Sequence, residues 1–193
     1  MSKNVLVILV DGFEEIEAVT PIDVLRRAGC TVTIAALGNK DSLSDSSNNL
    51  SVRGAHNVYF KCDELLSKVV SKDYDAIVLP GGMPGAKNLS NSSEVGKIIR
   101  KTYDNGRLVC AICASPAYVL GPTGILSNKK CTCYPGCEAV APNVHFGNYR
   151  AVKDGTVITA AGPGTALEFS LLIVQTLFGK DVATKLHSDM ICN

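Results

Sequence analysis

Apolar residues fall in short, nearly unbroken runs along the chain, NVLVILV, TVTIAAL, DAIVLPGG, LVCAIC and TVITAAG, each bounded by glycine, proline or polar residues. Runs of this length, rich in Val and Ile and apolar at consecutive positions, predict strands buried on both faces, as in a parallel sheet covered by helices on either side. Between and after them lie segments with apolar positions at helical spacing: EEIEAVTPIDVLRRAG, EVGKIIRKTYDNG, SPAYVLG and TALEFSLLIVQTLFG. Gly29, Gly106 and Gly179 stand where helices should end, since the residue after a helix C-terminus commonly takes positive φ. The alternation predicts an α/β fold, a doubly wound, mostly parallel sheet with helices on both faces, as a single domain over residues 1–193. The stretch GNKDSLSDSSNNLSVRG has no apolar period and is rich in Ser, Asn and Asp, so it reads as an exposed loop leading to a short hairpin near LSVRGAHNVYF.

A chain of 193 residues can bury roughly 70% of the surface its unfolded form exposes, so stability requires no cross-link. Lys and Arg number 19 against 18 Asp and Glu, with the signs interspersed. That balance argues against nucleic acid or a membrane surface as partner and for a small or neutral one. The N-terminal MSKNVLVILVDGFEE carries an apolar run of about seven residues that ends in acidic ones, too short for a signal peptide or a spanning helix. A cytoplasmic setting is therefore expected, and there the eight cysteines should be free thiols that are catalytic, metal-binding or simply buried.

Open α/β sheets bind ligands beyond the carboxyl ends of their strands, which directs attention to DGFEEIE, LPGGMPG, CASPA and AGPGT. Glu14 and Glu15 suit the first turn of a helix through its dipole and are expected to project outward. Ile16 and Val19 are assigned to the core face; Glu17, one step of about 100° from Ile16, then borders the buried side, where desolvation raises a carboxyl's pKa. The adjacent glycines Gly81 and Gly82 let backbone N–H groups approach a ligand and form an anion-accepting corner, although a plain tight turn has the same composition.

Cys113 follows the expected strand Leu108 to Ile112, and Ala114 opens a helix, which puts the thiol on a strained strand-to-helix elbow. Helix N–H groups there are expected to lower its pKa and favour a nucleophilic thiolate. Cys110 completes a Cys-x-x-Cys spacing, but a separation of three along an extended strand sets the side chains on opposite faces, against thiol exchange. Cys131, Cys133 and Cys137 lack the paired knuckles of a structural zinc site. His56, His145 and His187 lie far apart and suit surface or satisfied core roles; with no histidine soon after Cys113, a cysteine peptidase is disfavoured.

The stretches VLVILVDGFEEIEAVTPIDVLRRAG, DAIVLPGGMPGAKNLS, VCAICASPAYVL and VITAAGPGTALEFSLLIVQTLFGK, in this order and spacing, resemble the ThiJ/PfpI superfamily, in the branch of the Parkinson-associated DJ-one protein, over nearly the whole chain. The resemblance implies a flavodoxin-like homodimer with Cys113 as nucleophile and Glu17 as its hydrogen-bonded acid/base partner. It implies that Gly81, Gly82 and the N–H of Ala114 face the substrate oxygen. Members of the branch are credited with glyoxalase or deglycase activity, oxidative-stress protection and a chaperone-like role. Some relatives carry a His-Pro pair near the cysteine where this chain has Tyr134-Pro135, and an arginine before GPGT where it has Ala161. A phenol donates a hydrogen bond but is a poor base near neutral pH, so proton transfer falls more heavily on Glu17, and the missing cation alters anion binding.

The expected function is a cofactor-independent glyoxalase or deglycase, a hydro-lyase or hydrolase, acting on glyoxal, methylglyoxal or their protein adducts and giving 2-hydroxy acids. Its chemistry calls for no metal or organic cofactor. The competing expectation is a redox-sensing stress protein or chaperone whose Cys113 is oxidised to the sulfinate, with Glu17 bonded to it.

Overall fold

The computed structural model describes residues 2–38 and 50–192. Most of the Ser- and Asn-rich loop thus lies outside the described residues, while the hairpin expected after it is present, as β3 (Ser51–Arg53) paired antiparallel with β4 (Tyr59–Lys61).

In β1 (Asn4–Leu9) alternate side chains enter opposite layers: Val5, Val7 and Leu9 join one core, and Leu6 and Ile8 the other. This period of two explains why the strand is apolar at consecutive positions. The remaining strands of the main sheet are β2 (Thr31–Ala36), β5 (Glu64–Leu65), β6 (Ala76–Leu79), β7 (Leu108–Ile112), β8 (Ala151–Asp154) and β9 (Val157–Ala160). The seven-stranded order is β5-β2-β1-β6-β7-β9-β8, parallel throughout except for β8, which runs antiparallel to β9. Helix α1 (Glu15–Arg27) packs with α5 (Ala166–Phe178) and α6 (Lys180–Asp189) on one face, around Phe13, Ile22, Leu25, Phe169 and Ile173. The short α2 (Leu66–Val69) and α4 (Ser93–Asp104) cover the other, through Leu66, Val95, Ile98 and Ile99. A further helix, α3 (Gly85–Ser90), follows the glycine-rich turn after β6. Among the described residues no helix is long and apolar enough to cross a membrane.

The phase of α1 differs from the sequence expectation. Ile16 and Val19 are 54% and 41% exposed, and the buried stripe runs instead through Glu17, Ala18, Pro21, Ile22, Val24 and Leu25. The sheet sets that face through Ala18, Ile22 and Leu25, and Glu17 is carried fully into the interior with them. The segment SPAYVLG also departs from a regular α-helix. Pro116–Leu120 forms a π-helical turn in which the Gly121 N–H bonds the Pro116 carbonyl, followed by a 3₁₀ turn over Gly121–Thr123. Gly29, Gly106 and Gly179 all take positive φ after the helices they follow.

The chain steps outward from β1 to β2 and β5 and then returns to place β6 on the other side of β1. The crevice at such a reversal lies at the carboxyl ends of the strands. Here it is walled by the segments that follow β1, β6, β7 and β9.

Candidate active site

Cys113 leaves β7 with φ +65, a left-handed conformation that a side chain adopts at a cost of about 1–3 kcal/mol. A neighbouring strand and a loop hold it there. Its N–H donates to the Ala160 carbonyl at 2.9 Å, and its own carbonyl accepts from the Tyr134 N–H at 2.7 Å. The next turn is clamped by Ser115, fully buried, whose hydroxyl donates to the Pro80 carbonyl at 2.6 Å. Sequence reasoning passed over Ser115; the signal available was a lone hydroxyl among small residues just after the elbow. Because the positive φ redirects the chain, strand parity no longer governs the pair Cys110 and Cys113. Both belong to the same core layer rather than to opposite faces, and both are free thiols.

Glu17 reaches the elbow from α1. Its Oε2 accepts from the Gly81 N–H at 2.8 Å, while Oε1 is buried without a partner in regular hydrogen-bond geometry. Burial, foremost, pushes the Glu17 carboxyl up to about 7, opposed by the Cys113 thiol and the Gly81 N–H, which favour the carboxylate. The thiol itself runs against the sequence expectation. Burial, then the charge of the Glu17 carboxylate and the hydrogen bond between the two groups, push Cys113 well above the usual thiol range. The N–H groups of Gly82 and Ala114 do pull it downward, as an elbow should, but they are outweighed. Both contributions from Glu17 depend on its being ionised, so protonating Glu17 relieves the thiol.

Gly81 sits at the centre of this arrangement. A Cβ there would stand 2.7 Å from Cys113 Cβ and 2.8 Å from Glu17 Oε2. Gly82 has φ +87 and backs directly onto the Gly12 to Glu14 main chain. Tyr134 comes from the loop after the π-helical turn; its backbone is tied to Cys113, and its half-exposed ring lies over Gly162, where an added Cβ would be 3.2 Å from Tyr134 Cδ2. Ala161 precedes Gly162, and its N–H donates to the Arg150 carbonyl at 2.9 Å.

Glu14 does not project outward. It is only 7% exposed, caps α1 by accepting from the Glu17 N–H at 2.7 Å, and donates its own N–H to the Gly81 carbonyl at 3.0 Å. Glu15 turns to the hairpin, accepting from the His56 N–H at 2.7 Å and meeting the His56 ring at 2.8 Å. His56 therefore has a carboxylate partner across 41 residues of sequence, a pairing no local spacing reveals. Among the described residues, Glu14, Glu15 and His56 are the ligand-type side chains whose donor atoms converge, within 4.8 Å of one another.

A buried carboxyl, a thiol on a strained elbow and converging backbone N–H groups can together move a proton, attack an electrophilic carbon and hold a developing oxyanion. A flavodoxin-like α/β sheet carrying a cysteine elbow at the carboxyl end of a central strand is the class that this fold and site define. The model of the DJ-1/PfpI family matches residues 3–176, and the chain belongs to that family. It is 38% identical over 191 residues to protein DJ-1 homolog B of Arabidopsis thaliana, the match covering 98% of this chain but 42% of that one. Against homolog A of the same plant it spans 45% of the length, so the chain corresponds to less than half of these two relatives. A Caenorhabditis elegans protein named glutathione-independent glyoxalase DJR-1.2 is 33% identical, the match covering 95% of this chain and 94% of that one. Among solved structures, Drosophila melanogaster DJ-1beta superposes with a TM-score of 0.90 at 38% identity, over 100% of both chains. Toxoplasma gondii DJ-1, described as oxidized, gives 0.89 at 36% identity over 98% of each.

Proposed function

We propose that this chain is a cofactor-independent glyoxalase or deglycase that uses Cys113 to convert glyoxal, methylglyoxal or their adducts on protein amines into 2-hydroxy acids. The observation that carries the reading is the fully buried Glu17, pushed up to about 7, interacting with the Cys113 thiol and anchored by the Gly81 N–H. A carboxyl with that proton affinity both gives and takes a proton near neutral pH. The naming of one relative as a glutathione-independent glyoxalase supports the same reading.

The thiol proton passes to Glu17, and the sulfur adds to the aldehyde carbon of methylglyoxal. Glu17 returns the proton to the new alkoxide, which the N–H groups of Gly82 and Ala114 stabilise as it forms, giving a hemithioacetal. Glu17 carboxylate then removes the hydrogen from that carbon. The resulting enediol is reprotonated at the neighbouring carbon, so the first carbon becomes a thioester carbonyl and the second an alcohol. Water cleaves the thioester, releasing lactate and restoring the thiol. Oxidation of one carbon is balanced by reduction of the other within the substrate.

The setting we assign is the cytoplasm, in protection against carbonyl and oxidative stress. A homodimer is part of the same reading: the exposed Ile16 and Val19 adjoin the partly buried Pro163, Leu167 and Met190 in an apolar strip that a second copy would cover. Nucleic acid and membranes are not expected partners.

The test is lactate formed from methylglyoxal without glutathione by the wild type, Cys113→Ala and Glu17→Gln. Activity in the wild type alone supports the assignment; equal rates in all three, or none in any, overturn it. A second reading is favoured by the raised Glu17, which as a protonated carboxyl is a ready donor to oxygen on sulfur, and by the oxidized state of the Toxoplasma gondii relative. There Cys113 is a redox sensor that ends as a sulfinate. Gain of two oxygens on Cys113 after mild peroxide, in a protein that makes no lactate, would select it.

A further inference from the structure

Cys131, Cys133 and Cys137 have no part in the proposed chemistry, and they do not converge as a metal set. Cys131 joins the core layer under α4, its Sγ directed at the His145 carbonyl 3.6 Å away. Cys133 and Cys137 instead meet around Ala117 and Ala141, Cys133 buried and Cys137 partly exposed. The chain between them reverses tightly. The Cys137 N–H donates to the Tyr134 carbonyl at 2.9 Å, with Pro135 next and Gly136 at φ +92, the composition of a type II turn. Such a turn brings the Cα atoms of Tyr134 and Cys137 within about 7 Å, and Cys133, the residue just before it, shares one apolar cluster with Cys137, within reach of the Cα separation of about 4.4–6.8 Å that a disulfide spans. The segment is seated against small residues, since a Cβ on Gly121 would stand 2.7 Å from Ala141 Cβ.

We propose that Cys133 and Cys137 form a redox-active dithiol that closes reversibly into an intrachain disulfide across this turn, and that closure restricts access to Cys113. A hydroperoxide supplies the oxidation. Cys137, the more accessible thiol, gives up its proton and attacks one peroxide oxygen; the O–O bond breaks, leaving a sulfenic acid and a water or alcohol. Cys133 then loses its proton and attacks that sulfur; the S–O bond breaks, water leaves and the S–S bond forms. The two thiols lose two electrons between them, and the peroxide is reduced by two. Burial and the Glu138 carboxylate push both thiols upward, Cys133 to about 12, with Cys131 and Cys137 adding to the effect on Cys133. Closure is therefore slow near neutral pH and speeds up as pH rises.

The connection to Cys113 runs through Tyr134, which the turn carries. Its N–H holds the Cys113 carbonyl and its ring lies over Gly162. Cys113 is only 8% exposed, so a reagent needs local opening to reach the sulfur, and a cross-link over the turn restrains the segment whose N–H holds the Cys113 carbonyl. The inference does not rest on the glyoxalase reading.

The mapping experiment treats the full chain and its Cys113→Ser variant with hydrogen peroxide. Free thiols are blocked with N-ethylmaleimide, then the protein is reduced, labelled with iodoacetamide and sequenced by mass spectrometry. The iodoacetamide label should fall on Cys133 and Cys137, with Cys131 blocked, in both proteins. Label on Cys131 paired with Cys133, or no label on the pair, overturns the proposal. In a second arm the wild type is closed with diamide, freed of reagent, and alkylated at Cys113 with iodoacetamide. A several-fold loss of rate relative to the reduced protein, absent in Cys137→Ser, is expected. An unchanged rate in a chain whose disulfide has been mapped refutes the restriction of access.

Discussion

Glu17 is a carboxyl carried fully into the interior, and replacing it with glutamine isolates what its charge does to the fold. The native carboxyl titrates near 7 against an ordinary 4.5, with burial as the main cause. Between those values the native state holds a proton that the unfolded chain has released, so stability falls as pH rises. The native preference for the neutral form is present in full below 4.5 and is lost by about 7. A shift of this size at 1.36 kcal/mol per unit corresponds to about 3 kcal/mol. The glutamine amide keeps the shape, can still accept from the Gly81 N–H and has no charge to desolvate. Urea unfolding of the wild type and Glu17→Gln across pH 4.5 to 8 gives the difference directly, with other titrating groups cancelling. Glu17→Gln should gain on the wild type by about 3 kcal/mol across the window and by nothing more above it. Parallel curves would mean that the carboxyl is solvated and that the proton economy assigned to the site is wrong.

Cys113→Ala removes the neighbouring thiol that favours the Glu17 carboxylate, so the carboxyl should titrate higher than in the wild type. A carbon-detected NMR titration reads the midpoint, and a downward move contradicts the role given to the thiol. Gly81→Ala places a methyl against both Cys113 and Glu17 and should cost about 1–3 kcal/mol in chemical denaturation, with slowed alkylation of Cys113. Ser115→Ala leaves the buried Pro80 carbonyl without its 2.6 Å donor and should lower stability by about 1–3 kcal/mol. A change under half a kcal/mol would show that the clamp carries no weight.

The parallel sheet was legible because β1, β6, β7 and β9 are each buried on both faces and so had to be apolar at successive positions. Cys113 was legible as an elbow because a strand pattern stops one residue before it. Illegible were features decided by contacts distant in sequence. Ile16 and Val19 look like core residues in a helical projection, yet the sheet selects the neighbouring face and buries Glu17 in their place. Glu14 looked like a solvated first-turn acid, but the Glu17 N–H and the strand-end glycines draw it inward. The thiol's proton affinity could not be read locally, because burial and a carboxylate from another helix outweigh the N–H groups beside it. The Glu15 and His56 pair forms only when the hairpin folds back on α1.

The two rims of the main sheet differ from its centre. One ends in β5, only two residues long, and the other in β8, which carries Lys153 and Asp154 and runs against its neighbour. Neither presents a long, flat row of free backbone groups, so strand addition by a stray chain has little template to extend. The rims of the sheet are thus poor templates for a foreign strand, and substitutions on the helix surfaces leave that protection untouched.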